Sequence, residues 1–179
     1  MPDTARELVG IGLGGNIGGA AGAIAAALAE IEGRGVGRVV AVSSLWRTPP
    51  WGRVDQPAFL NACALVETTR APLSLLAALK AIEADIGRRA TQRWGPRLID
   101  LDILFYGDRM LDAPDLAIPH RDLLRRAFVL APLAEIAADR IISGARVRDA
   151  LEKVDRAGLE IVEPGDAWRW RARGEKANG

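Results

Sequence analysis

Two strand-like runs, residues 38–47 and 58–68, follow one another with no helical stripe between them, and this pair constrains the fold more than any other feature of the chain. Ahead of them, residues 8–13 read as a strand that ends in glycines. Residues 20–32 then read as a helix with Ile24, Leu28 and Ile31 at helical spacing. Behind the pair, Pro72 marks a helix start, Leu75, Leu79, Ile82 and Ile86 form its buried stripe, and Gly87 is expected to end it. Residues 99–106 predict a further strand, closed by a Gly107-Asp108 turn. A short extended piece over 116–119, a helix over 126–138 interrupted near Pro132, and a last short helix over 147–154 complete the order; after Asp155 the tail reads as irregular. A doubly wound parallel sheet alternates strand and helix, so the adjacent strands argue against one. The order fits an α+β, ferredoxin-like sandwich, a mostly antiparallel sheet with helices packed on it. There is no internal repeat and no linker. The expectation is a single domain over 1–160 and a C-terminal extension, 161–179, of unknown role.

The chain has 179 residues, 49% of them apolar, enough for one domain with a real core. Its formal charge of +1 means that any attraction for phosphates comes from a local cluster rather than from bulk charge. Cys63 and His120 are the sole residues of their types. They exclude an intrachain disulfide framework and a zinc site built on His and Cys, and they make the cytosol the default compartment. Residues 8–29 carry no charge and have the length of a bilayer span, but seven glycines and Asn16 fall among them and no basic segment precedes them. Glycine at that density argues against a membrane or signal segment.

Gly10-Ile11-Gly12-Leu13-Gly14-Gly15 matches G-x-G-x-x-G between a strand and a helix. A dinucleotide fold wants an acid at the end of the second strand to hold a ribose, and here that strand ends Ser43-Ser44-Leu45-Trp46-Arg47. No Gly-Lys-Ser/Thr follows, so it is not a P-loop. A tight turn into the helix is the simple reading; the alternative is that Asn16 and the turn amides line a ligand site.

Asp100-Leu101-Asp102 is the strongest chemical feature. Side chains two apart on a strand share a face, roughly 6.7 Å apart. Ile99, Leu101 and Ile103 then face the core while both carboxylates face away from it. Two such carboxylates repel unless a cation or base lies between them, and hard oxygen donors select Mg²⁺ held with substrate phosphates. Arg88, Arg89, Arg93 and Arg97 lie within ten acid-free residues just before them, with Trp94-Gly95-Pro96 among them. Guanidinium forks on one side and metal on the other would serve one polyphosphate, with the loop as a lid. The alternatives are a solvated basic loop, a nucleic-acid surface with Trp94 stacking on a base, or a metal-dependent phosphoesterase. Phe59 and Asn61 share a strand face and suit a flat heterocycle, the ring stacking and the amide reading its edge. Taken alone, Phe59 reads first as core packing, and Thr48-Pro49-Pro50-Trp51-Gly52 is either an ordinary loop or a source of fixed backbone groups for the same site.

Taken together, Gly14-Gly15-Asn16, Arg47-Thr48-Pro49-Pro50 with Gly52, Asp55-Gln56-Pro57 through Phe59-Leu60-Asn61, Glu83 with Gly87-Arg88, Arg93-Trp94-Gly95-Pro96-Arg97, Asp100-Leu101-Asp102, Ile118-Pro119-His120, and Arg126 with Phe128 resemble the 6-hydroxymethyl-7,8-dihydropterin pyrophosphokinase family of folate biosynthesis. The resemblance implies a ferredoxin-like fold, ATP as donor, AMP as by-product, and two Mg²⁺ ions on Asp100 and Asp102. It implies a pterin sandwiched by Phe59 and Phe128, its edge read by Asn61 and by the loop at Thr48, Pro49 and Trp51. It assigns Glu83, Arg88, Arg93, Trp94, Arg97, Ile103, His120 and Arg126 to ATP, with Arg93 and Trp94 in the lid, and it makes Arg88 and Arg97 part of the catalytic set with the two aspartates. The implied protein takes small-molecule substrates as a cytoplasmic monomer and binds neither nucleic acid nor membrane. Gly15, Phe59, Lys80 and Arg121 depart from the residues usual in the family, and the stretch between Gly87 and Arg93 is one residue short.

Overall fold

The computed structural model describes residues 5–16, 19–50, 57–90 and 98–170, with the side chains of 88–90 outside that description. The chain runs β1 (Glu7–Gly15), α1 (Ala20–Gly33), β2 (Arg38–Val42), β3 (Leu45–Thr48), β4 (Phe59–Thr68), α2 (Pro72–Ala90) and β5 (Asp100–Tyr106). A small hairpin of β6 (Leu111–Asp112) and β7 (Ala117–Ile118) follows, then α3 (Ala127–Ala137), a second hairpin of β8 (Ile141–Ile142) and β9 (Ala145–Arg146), α4 (Val147–Glu152) and β10 (Glu160–Glu163). Across the main sheet the order is β10-β3-β4-β1-β5, with β2 also on β4. All its pairings are antiparallel. With β2 and β3 counted as one bent strand, this is the ferredoxin-like β-α-β-β-α-β order.

Period-two patterning splits the core between the two faces. Val9, Ile11, Leu13, Leu101 and Ile103 point to α1 and α2, whose Ile24, Leu28, Leu75, Leu79 and Ile82 are buried against them. The other face meets α3 and α4 through Cys63, Leu65, Leu104, Phe105, Leu130 and Leu133. A bulge between Gly10 and Ile11 shifts the β1–β5 register, so the consecutive Leu104 and Phe105 both join this second cluster.

Several expectations are corrected. The run 38–47 is two strands, because the Ser44 backbone leaves the ladder: its N–H donates to Glu135 and its carbonyl accepts from the Ser43 hydroxyl. The second helix does not end at Gly87 but continues to Ala90; one interior glycine costs only about 1 kcal/mol against a long apolar stripe. The third runs through Pro132, whose buried ring packs in the core, without interruption. The tail is not irregular after Asp155: β10 adds to the edge of β3, with Glu160 opposite Arg47 and Ile161 opposite Trp46. The expected boundary at 160 thus falls at the first residue of a sheet strand. A 3-10 turn, Ala167–Trp170, then packs against α1 and buries Trp168. The uncharged stretch 8–29 is divided between β1 and α1, and among the described residues no helix is long and apolar enough to cross a membrane.

Candidate active site

The glycine-rich motif lies inside β1 and not at a turn. Gly10, Gly12 and Gly14 alternate with Val9, Ile11 and Leu13, so one face of the strand is apolar and packed while the other carries no side chains. Strand register then builds a grid on the bare face. Asn61, Gly14 and Asp100 stand side by side; one step along stand Cys63, Gly12 and Asp102. With strands about 4.8 Å apart, Asn61 and Asp100 are roughly 10 Å apart across Gly14, with nothing rising between them.

Above this floor is a cavity of about 230 Å³. Thr48, Pro49, Phe59 and Asn61 line one end, Asp100 and Asp102 the other, and Arg126 and Phe128 come from the start of α3. The Asn61 amide nitrogen donates to the Thr48 hydroxyl at 2.8 Å. That bond fixes the amide with its oxygen toward Gly14, where a Cβ would lie 2.7 Å from it. Cys63 belongs to the floor; burial pushes its thiol up, so it stays protonated and inert at neutral pH. Arg126 pairs with Asp122 at 2.9 Å and stands 5.7 Å from the centre of the Phe128 ring.

The carboxylates of Asp100 and Asp102 are exposed while Leu101 between them is buried. The strand that bears them is at the sheet edge, and the outward Leu101 N–H donates to the Glu83 carboxylate of α2 at 2.6 Å. Lys80 in turn reaches Glu83 at 3.2 Å. Glu83 therefore fixes the backbone between the two acids, a role its sequence position did not disclose.

Asp102 also lines a second cavity of about 320 Å³ with Lys80, Ile103, His120 and Arg121. His120 is tied down on both sides: its N–H donates to the Leu104 carbonyl at 2.8 Å, and its Nδ1 accepts from the Asp122 N–H at 3.3 Å. In the neutral ring the proton is then on Nε2. Arg121 pairs with Asp112 at 2.7 Å.

The structure thus gathers Thr48, Pro49, Phe59, Asn61, Asp100, Asp102, Arg126 and Phe128 at one cavity. Ile103 and His120 are at the other, and Glu83 lies behind the strand that separates them. Ile103 is buried with its side chain in the core cluster, as the alternation required. Trp51, Arg93, Trp94 and Arg97 lie outside the described residues, as does the side chain of Arg88, whose backbone is in the last turn of α2 rather than in a loop. Cys63 was not expected at the site, and the glycines were expected there only as turn amides. The signal for Gly12 and Gly14 as a floor was present in the strict alternation of glycine with branched residues over 9–14, which a strand with one bare face requires.

This arrangement has the form of an α+β phosphoryl-transfer enzyme, with paired carboxylates between an aromatic slot and a second, polar cavity. The sequence profile of 7,8-dihydro-6-hydroxymethylpterin-pyrophosphokinase (HPPK) matches residues 10–138, and the chain belongs to that family. It is 48% identical over 153 residues to a 2-amino-4-hydroxy-6-hydroxymethyldihydropteridine pyrophosphokinase of Methylorubrum extorquens, covering 86% of this chain and 97% of that one. A Pseudomonas aeruginosa protein of the same name is 44% identical over 160 residues, covering 89% and 98%. Among solved structures, wild-type Plasmodium falciparum HPPK-DHPS with STZ-DHP superposes with a TM-score of 0.68 at 17% identity, a likeness of fold. The match covers 86% of this chain and 44% of that longer one, so this chain spans less than half its length.

Proposed function

We propose that this pyrophosphokinase transfers the two terminal phosphates of ATP, as one pyrophosphoryl group, to the hydroxymethyl oxygen of 6-hydroxymethyl-7,8-dihydropterin in folate biosynthesis, releasing AMP. The observation that carries the reading is the position of Asp102, which lines both the aromatic slot and the second cavity. A donor in one cavity and an acceptor in the other would meet at that carboxylate.

The flat acceptor lies on the bare glycine floor between Phe59 and Phe128, its polar edge against Asn61 and Thr48. The asparagine is already turned by its bond to Thr48, so little ordering remains when the ring arrives. The triphosphate side is served by His120, whose Nε2–H is free of the Nδ1 contact, and by Arg126, with Arg88, Arg93, Trp94 and Arg97 as further contacts and lid. Asp100 and Asp102 are two exposed carboxylates on one face, and among the described residues no cluster of three or more possible ligands competes with them. Such a pair fits Mg²⁺, which is commonly held by one or two carboxylates plus phosphate oxygens. Two Mg²⁺ ions held there would supply charge neutralisation and polarisation of the phosphates. The acceptor hydroxyl oxygen bonds to the β-phosphorus and gives up its proton to water, as the bond from that phosphorus to the α-phosphate oxygen breaks and AMP leaves. No side chain needs to form a covalent intermediate; positioning and electrostatics carry the reaction. In this reading the protein is a monomer, and a cytoplasmic location suits its single buried thiol.

The test is AMP release from Mg-ATP with and without the hydroxymethyl dihydropterin. AMP formed only when the pterin is present is the expected result. Folded protein that yields none with the pterin would refute the reading, and AMP formed equally without it would make the protein a hydrolase.

A further inference from the structure

The break between β2 and β3 is a polar hub that joins distant parts of the chain. Ser43 bonds across to Cys63 of β4: its N–H donates to the Cys63 carbonyl at 2.9 Å, and its hydroxyl accepts from the Cys63 N–H at 2.9 Å. Ser44 turns the other way, to Glu135 of α3. Its hydroxyl donates to Glu135 Oε2 at 2.7 Å and its N–H to the same oxygen at 3.2 Å. The other oxygen, Oε1, accepts from Trp46 Nε1. The C-terminal segment closes the hub, with Gly165 N–H donating to the Ser44 hydroxyl at 3.0 Å and Trp168 Nε1 to the Ser43 carbonyl at 3.0 Å.

Two rigid arms lead from this hub to the aromatic slot. Along β3, Thr48 is four residues from Ser44, roughly 13 Å at strand rise. Along α3, Phe128 is seven residues from Glu135, roughly 10 Å at helix rise. The two arms end at the same cavity, Thr48 and Pro49 brought by one and Phe128 by the other. Glu135 fastens the arms together at their far ends through three charge-assisted bonds.

We propose that Glu135 is a positioning residue for the acceptor site: by clamping α3 to the β2–β3 junction it sets where the stacking ring of Phe128 on α3 stands relative to the edge-reading Thr48 on β3. The proposal rests on the reading of that slot as the acceptor site. Glu135 touches neither cavity; the helix it holds brings Phe128 to the slot, and it reaches the cavity of Lys80 and His120 only through the exposed pair of Arg126 with Asp122. Its loss therefore acts first on the acceptor and to a smaller degree on the donor. A flat ring stacked on one element and read at its edge by another is sensitive to a sub-ångström change in their spacing.

The test compares Glu135→Ala and Glu135→Gln with the unaltered protein in steady-state kinetics, in equilibrium binding of the pterin followed by its fluorescence, and in thermal unfolding. Glutamine keeps one acceptor, so it can serve Ser44 or Trp46 but not both, and it should restore part of the loss. For Glu135→Ala, KM and Kd for the pterin should rise about tenfold while KM for ATP, touched only through Arg126, rises clearly less, as expected when one site loses preorganisation. Pterin affinity unchanged in a destabilised variant would make Glu135 a purely structural residue and overturn the proposal. An equal rise for both substrates would overturn it too. If Glu135→Ala does not fold, Ser44→Ala removes one arm of the clamp and carries the same comparison. Failure of the slot reading itself would appear differently, as an unaltered protein that binds no pterin.

Discussion

Asp100 and Asp102 face the same way from one strand and repel each other when no cation is near. A pair of this kind is held for function against a small cost in stability. Asp102→Ala should therefore lower the transfer rate by on the order of a hundredfold, about 3 kcal/mol in the barrier. The melting temperature without nucleotide should stay level or rise, since a like-charge contact is removed. Initial rates of AMP formation and a thermal melt of the same preparation check this; retained activity would remove Asp102 from the metal site. The two acids were legible because they sit in an alternating strand, where spacing alone dictates the face. Glu83 was legible as a site residue only by resemblance. Its contact with the Leu101 N–H joins residues eighteen apart, and no periodicity reports which helical side chain reaches a strand edge. Lys80 and Arg121 both line the second cavity beside His120, each paired with a carboxylate, Glu83 and Asp112.

At the level of elements, β1 matters most for the site, and what it contributes is missing side chains. A Cβ on Gly15 would meet the Leu98 carbonyl at 2.2 Å, a backbone clash that the fold would have to absorb. On Gly14 it would meet only the Asn61 amide oxygen, at 2.7 Å, the end of a side chain that can turn. Gly14→Ala is thus expected to fold normally while raising the floor and turning Asn61 away from Thr48. KM for the pterin should rise by about tenfold, the equivalent of 1–2 kcal/mol of overpacking, with KM for ATP little changed. Steady-state kinetics with each substrate varied in turn decides it, and unchanged pterin kinetics would place the ring elsewhere. The order of the main strands and helices, from β1 to β5 and then α3 and α4, was legible from hydrophobic period; the two-residue strands β6, β8 and β9 and the edge strand β10 were not. Nor were element ends. Whether Pro132 breaks a helix depends on how much apolar surface lies beyond it, and that is a property of the packed partner; past Gly87 the helix adds only Arg88, Arg89 and Ala90, which carry no hydrophobic period to read. The split at Ser43 and Ser44 was hidden for the same reason: the groups that draw the backbone out of the ladder lie on α3 and in the C-terminal segment.

For the whole molecule the question is whether the sheet and the C-terminal segment form one cooperative unit. The family profile stops at residue 138, yet β10 pairs with β3 and Trp168 is 3% exposed in the core shared by α1 and α2. This indole also donates to the Ser43 carbonyl, and Arg169 behind it pairs with Glu32 at the end of α1, 3.5 Å away. None of this could be read from the sequence, because a four-residue edge strand has too few residues to show a period. The partner of Trp168 is also 125 residues away. Replacing a buried tryptophan by alanine costs about 3–5 kcal/mol. In a domain of this size each kcal/mol lowers the melting temperature by roughly 2–4 °C, so Trp168→Ala should melt on the order of 10 °C lower. If the segment is integral to the fold, that melt remains a single transition, with far-UV and near-UV signals lost together. An unshifted main transition, preceded by a separate low-temperature step, would mean that the segment is an appendage that unfolds by itself. The sheet would then keep its site without the C-terminal half of the hub.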